Sequence, residues 1–207
     1  MRPLVALGVD LAGSPKRPTG ICLLQALKAQ TAIAYGDEEI LELVAETGPG
    51  IIAIDAPLTL PPGRKSIDDI NGSHFRPCDM ELRRRGIRFF PITLGPMRLL
   101  TVRGMKLKSE FEKMGYRVIE IYPGGALDVW GIPRQHQDRA ALRRGLLRLG
   151  VTGLGSRLSG DELDAATAAL VGRLFLQGKA EVLGNWTEGA IVMPRPSAAR
   201  GGSHFLP

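Results

Sequence analysis

The chain has 207 residues, enough for one ordinary domain and short for two of average size, so a single domain is expected. With 44% hydrophobic and 23% charged residues it has a globular composition, which excludes wholesale disorder, a collagen and a dedicated coiled coil. The net charge of +6 is carried mostly by arginine, 20 Arg against 7 Lys, and it is uneven: residues 64–117 hold 13 basic and 6 acidic side chains, while the remainder sums to about −1.

Leu4 to Asp10, Gly20 to Ala26 and Gln30 to Tyr35 read as three short strands, and the Gly, Pro and Ser of the short gaps favour sequential antiparallel pairing. Asp10 stops the first apolar stretch before it reaches the length of a signal-peptide core, and no run approaches the roughly 18 apolar residues of a spanning helix. A cytoplasmic protein without membrane contact is therefore expected. Asp37 is placed to cap a helix running to about Glu46, with Ile40, Leu41, Leu43 and Val44 on one face and Gly48-Pro49-Gly50 at its end. Ile51 to Asp55 is an apolar run of the kind found in strands buried on both faces.

From about 57 to 115 the chain reads as a basic, largely helical insertion. Prolines 57, 61 and 62 forbid regular pairing, and helices are predicted from Cys78 to Arg85, stopped by Gly86, and from about Met97 to Met114. A strand follows at Tyr116 to Tyr122, closed by Pro123-Gly124-Gly125, then helices over 136–149 and 160–177 and a short edge strand from Glu188 to Pro194. Residues 195–207 are small and turn-rich and read as a loose tail. Cys22 and Cys78 have neither CxxC spacing nor a histidine at ligand spacing, so both read as ordinary thiols. Cys78 as a nucleophile would need a base, and His74 is the only histidine nearby in sequence.

Five acidic side chains stand where solubility does not explain them. Asp10 and Asp55 end apolar strands, and Glu120 interrupts the β-branched run Val118-Ile119-Glu120-Ile121. Asp161 and Asp164, three apart at the start of Gly160-Asp161-Glu162-Leu163-Asp164-Ala165-Ala166, project from one helix face. If the strands ending in Asp10 and Asp55 are neighbours, their carboxylates converge, and that helix start can add Asp161 and Asp164. Carboxylates gathered in this way repel unless a cation compensates them, and an oxygen-only set suits Mg2+ or Mn2+. Each residue also has a plainer reading: a strand-end turn for Asp10 and Asp55, an N-cap for Asp161, and an ion pair with an insertion arginine for Glu120.

The segments Gly8-Val9-Asp10-Leu11-Ala12, Ile54-Asp55-Ala56-Pro57-Leu58, Arg76-Pro77-Cys78-Asp79 with Leu82-Arg83, Glu120-Ile121-Tyr122-Pro123 and Asp161-Glu162-Leu163-Asp164-Ala165 together resemble domain-of-unknown-function family 429, whose members are described as predicted nucleases of the ribonuclease H fold. The resemblance spans about Leu4 to Pro194. It implies one α/β domain over residues 1–194, a ribonuclease H-like mixed sheet of three antiparallel strands followed by parallel ones, with helices on both faces. By similarity to that superfamily, Asp10, Asp55 and an acid on the last helix would be metal ligands, and the Asp161/Asp164 pair resembles the corresponding helix of Holliday-junction resolvases.

The reading that follows is a nuclease hydrolysing phosphodiester bonds of DNA or RNA through two carboxylate-held Mg2+ or Mn2+ ions. Asp10, Asp55, Glu120 and Asp164 form the expected catalytic set, and Asp10, Asp55, Asp161 and Asp164 the metal ligands. Arg76, Arg83, Arg84 and Arg85 are the expected phosphate-binding group, because arginine grips phosphate oxygens through two parallel hydrogen bonds. For Asp79 and Arg83, an i,i+4 surface ion pair is the competing explanation. Two other functions compete. Asp10-Leu11-Ala12-Gly13-Ser14 also resembles the first phosphate loop of actin-like ATPases and sugar kinases, which would make the chain a small-molecule phosphotransferase or ATPase; the other is a nucleic-acid binding module without catalysis.

Overall fold

A computed structural model describes residues 4–196. β1 (Val5–Asp10), β2 (Thr19–Gln25) and β3 (Lys28–Ala34) form an antiparallel meander. α1 (Asp37–Thr47) ends at Gly48, whose φ of 53° closes the helix in the left-handed conformation that glycine adopts without strain. The chain then enters β4 (Ile51–Asp55), parallel to β1 in a register that sets Asp10 opposite Asp55. After α2 (Pro77–Arg84) and α3 (Gly95–Lys113), β5 (Val118–Ile121) lies parallel to β4. α4 (Pro123–Trp130), α5 (Gln135–Arg148) and α6 (Gly160–Leu176) lead to the hairpin β6 (Ala180–Asn185) and β7 (Gly189–Pro194). The seven strands are ordered β3-β2-β1-β4-β5-β7-β6. The expected mixed sheet is present, β1–β3 antiparallel and then β4, β5 and β7 parallel, with helices on both faces, and β6 adds an antiparallel strand at the far edge.

Strand alternation sorts the core into two layers. Leu7, Val9, Ile52 and Ile54 meet Ile40 and Val44 of α1 and Leu107 and Phe111 of α3 on one face. Ala6, Ile51, Ala53 and Ile119 meet Ala168 and Val171 of α6 on the other, and α5 closes over α6 through Leu142 and Leu146. A fully buried Ile, Leu or Phe contributes about 1.5–3 kcal/mol by leaving water, so these layers dominate the stability.

α6 sits unusually close to the sheet because glycines leave it room. A Cβ on Gly8 would lie 2.0 Å from the Ala165 carbonyl oxygen, and one on Gly20 would lie 2.0 Å from that of Asp161. The small residues along α6 complete the approach.

Two elements were not expected, α4 and β6, and one strand changes place. Pro123-Gly124-Gly125 closes the strand as expected but also opens α4: proline at the first helical position has the required φ, and its missing N–H would have no helical partner there. The strand ending at Pro194 is interior, between β5 and β6, and all six residues of β7 are buried. β6 is the true edge, and its sequence carried no clear alternation, with Gly184 and Asn185 at its exposed end. The tail expected over 195–207 lies outside the described residues apart from Arg195 and Pro196. Among the described residues no helix is long and apolar enough to cross a membrane.

Candidate active site

The parallel pairing of β1 with β4 brings Asp10 and Asp55 side by side at one edge of the sheet. Alternation turns both toward α6, since Gly8 and Ala53, two residues earlier, face that helix. Gly20, paired with Asp10 across β1 and β2, admits the first turn of α6, so Asp161 and Asp164 arrive at the same point. Ser159 is the N-cap of α6, accepting the Glu162 N–H at 3.1 Å, while the Glu162 carboxylate accepts the Ser159 N–H at 2.9 Å and the Thr31 hydroxyl at 2.8 Å. Asp161 is thereby not the cap, and capping does not explain it.

Burial pushes the Asp10 and Asp55 carboxyls well above the usual range, and the neighbouring carboxylates push further: Asp55, Asp164 and Asp161 act on Asp10, and Asp164 and Glu120 on Asp55. Burial and these like-charged neighbours therefore favour the protonated form of both carboxyls. Burial likewise raises Asp164 to about 7, with Asp161 adding to the shift and Gln135 and Arg134 opposing it. Gln135 Nε2 donates to Asp164 Oδ2 at 2.7 Å, yet Asp164 Oδ1 is buried without any partner. An orphaned carboxylate oxygen beside two buried carboxyls raised by their neighbours is a site short of positive charge.

This donor set fits a hard divalent cation in its chemistry. Among the described residues no group of three or more His, Cys, Asp or Glu stands in ready ligand geometry, so Asp10 and Asp55 would have to turn toward an ion to hold it. Gln135 went unnoticed in the sequence. Its position 29 residues before Asp164 has no pattern to mark it, and only Gly160, where a Cβ would lie 1.5 Å from Gln135 Oε1, records the contact.

Glu120, expected among the catalytic residues, sits opposite Ile54 in the β4–β5 register and so faces away from α6. Its Oε1 accepts from Arg76 Nη2 and its Oε2 from Arg76 Nη1, both at 2.7 Å, and Oε2 also accepts the Leu58 N–H at 2.8 Å. Arg76, expected to hold phosphate, is 2% exposed. All five of its side-chain N–H groups are used, by Glu120, by both oxygens of Asp79 and by the Thr59 hydroxyl. Burial opposes its charge, but Glu120 and Asp79 outweigh burial and hold the guanidinium above its ordinary pKa. Arg76 therefore has no donor left for a phosphate, and Asp79 pairs with it rather than with Arg83.

Arg83, Arg84 and Arg85 lie on the exposed side of α2 and just beyond it; Arg84 pairs with Glu81 and Arg85 with Glu181 at 2.6 Å. Cys78 is fully buried, which pushes its thiol up to about 12 and removes the thiolate a nucleophile needs. In the loop read as a phosphate cradle, the Ala12 N–H is already donated to Thr19 Oγ1 at 3.1 Å. A cavity of about 350 Å3 lies against that loop, with Asp10, Asp161 and Arg17 on its wall.

The sequence model described as protein of unknown function DUF429 matches residues 8–188. The chain belongs to DUF429. Among solved structures, that of Thermus thermophilus RuvC is similar to this DUF429 protein, at 14% identity and a TM-score of 0.46, covering 84% of this chain and 96% of that one. No curated protein sequence matches it significantly.

Proposed function

We propose that this DUF429 protein is a divalent-metal-dependent nuclease that hydrolyses phosphodiester bonds. The observation that carries the reading is the convergence of Asp10, Asp55 and Asp164 at one sheet edge, buried, mutually repelling and with Asp164 Oδ1 unsatisfied. Asp10, Asp55 and Asp164 would hold Mg2+ or Mn2+, with Asp161 at the rim. Bound there, such ions supply a water acidic enough to attack near neutral pH and positive charge for the leaving oxygen.

The remaining work belongs to the chain. Asp10 and Asp55, which burial favours in the protonated form, would lose their protons to solvent as an ion binds. Gln135 fixes the rotamer of Asp164 by holding Oδ2, leaving Oδ1 free for an ion. Arg76, tied to Glu120 and Asp79, anchors the start of α2 to β5, so the segment after Asp55 is held while substrate enters. The deciding assay incubates the purified full chain with labelled DNA and RNA in Mg2+ or Mn2+, with ATP turnover measured in parallel. Strand cleavage abolished by EDTA and by Asp10→Asn supports the reading; ATP turnover without cleavage refutes it.

A further inference from the structure

Between the end of α2, Tyr122 and the start of α5 lies a cavity of about 720 Å3, within the range of about 300–1,000 Å3 typical of ligand sites. Its apolar wall is aromatic. Phe75 and Phe89 meet edge to face with centroids 6.0 Å apart, and Phe90 is 71% exposed. Tyr122 is pinned by its hydroxyl, which donates to the Arg88 carbonyl at 2.6 Å and accepts from Arg134 Nη1 at 2.8 Å. Phe89, Phe90 and Tyr122 also line an inner chamber of about 150 Å3 that reaches Asp55.

The polar lining has one sign. Arg83, Arg88, Arg134 and His136 border the outer cavity, and no acidic side chain does. Arg134 is committed to Asp128 and Tyr122. Arg83 and Arg88 are exposed, and among the described residues neither guanidinium has an ion-pair or hydrogen-bond partner. The exposed Phe90 ring beside two uncommitted guanidinium groups matches a ligand that is flat and apolar at one end and anionic at the other. A wholly apolar partner would desolvate the arginines without pairing them. A duplex would keep its base faces stacked internally and present only edges.

We propose that this cavity takes an unpaired nucleobase of the substrate strand, stacked on Phe90 with flanking phosphates on Arg83 and Arg88. The substrate class is then single-stranded or locally unpaired nucleic acid. The inference rests on the nuclease reading for its consequence, since the inner chamber leads from the stacked base to Asp55, but its test does not need catalysis.

Short fluorescein-labelled single strands, as DNA and as RNA, and the matching duplex are titrated with the full chain in EDTA and followed by anisotropy, with ATP as competitor. The single strand is expected to bind more tightly than the duplex. Phe90→Ala should weaken it by about tenfold, the loss of one base stack, and Phe90→Trp, which keeps an aromatic face, should restore it. Tighter binding of the duplex, no binding of either form, an unchanged affinity in Phe90→Ala, or displacement of the strand by ATP at lower concentration than by unlabelled strand each overturns the proposal. A chain that binds single strands through Phe90 yet cleaves nothing keeps this site and loses the nuclease reading. One that cleaves duplex and ignores Phe90 does the reverse.

Discussion

Asp164 Oδ1 is the single atom on which the site turns, because a buried carboxylate oxygen without a partner is costly unless something positive completes it. Asp164 is fixed by Gln135 one turn inside α6, whereas Asp161 lies at the rim of the neighbouring cavity. Asp164→Asn is therefore expected to cost cleavage at least about a hundredfold and Asp161→Asn much less; the reverse order in a Mg2+ assay would move the metal site to the rim. The carboxyl of Asp164 also links stability to pH. Its folded value is raised from 3.8 to about 7, so between those limits the folded chain holds a proton that the unfolded chain has released. Stability from this group is full below the unfolded value and is lost as pH rises through the folded one. In EDTA, Asp164→Asn should match the parent at about pH 4 and exceed it at about pH 8 by on the order of 2–4 kcal/mol, measured by denaturant melts at each pH. Saturating Mg2+ should then favour the parent, which alone keeps the full ligand set and gains about 2.7 kcal/mol at a hundredfold excess over its Kd. A variant less stable than the parent at the higher pH in EDTA would mean that this carboxylate is not under charge stress.

The placement of α6 is what converts two strand ends into a site. Gly20→Ala would drive a Cβ into the Asp161 backbone at 2.0 Å, and backbone cannot rotate away as a side chain can. An overpacking cost of about 1–3 kcal/mol is expected, with cleavage lost by more than the destabilisation explains because Asp161 and Asp164 move together. Full activity in a folded Gly20→Ala protein would show that the helix start is not critical. The same comparison separates what was legible in the sequence from what was not. Asp10 and Asp55 were readable because an acid at the end of an apolar strand breaks a local pattern, and the parallel pairing of those strands follows from the connection through α1. Glu120 stood between two readings, a catalytic acid and the partner of an insertion arginine, and only its pairing with Ile54, which is not a local property, turns it away from α6 and toward Arg76. Arg76 was invisible as a core residue because nothing local distinguishes a guanidinium saturated by Asp79 and Glu120 from one that awaits a phosphate. Its removal tests the reassignment. Arg76→Ala should destabilise the fold by about 3–5 kcal/mol by leaving buried carboxylates uncompensated, where loss of a phosphate contact would leave stability unchanged.

At the scale of the molecule, the positive charge of residues 64–117 is less available than its arithmetic suggests. Arg64, Arg76 and Arg103 are buried, and Arg103 braces the start of α1 through Asp37 at 2.8 Å and the Ala12 carbonyl at 2.7 Å. Acids outside the segment absorb further charge: Glu120 takes Arg76, Glu181 takes Arg85, and Asp37 takes both Arg103 and Lys106. Arg117 lies over the Phe175 ring at 4.6 Å. The uncommitted cations are therefore few, and Arg83 and Arg88 stand together on the aromatic cavity. Each phosphate neutralised on a single strand contributes a slope of about −0.7 in log affinity against log salt, and an arginine already facing a carboxylate releases fewer counterions because it starts neutralised. Replacing Arg83 and Arg88 together by Gln should flatten the slope by about 1.4, whereas replacing Arg84 and Arg85 together should flatten it by less than half as much. Exposed ion pairs such as Arg84 with Glu81 hold only about 0–1 kcal/mol, so both double variants remain folded and the slopes can be compared directly. If the Arg84 and Arg85 pair carried the larger change, the nucleic acid would run along the outer face of α2, and the aromatic cavity would lose its claim to the strand.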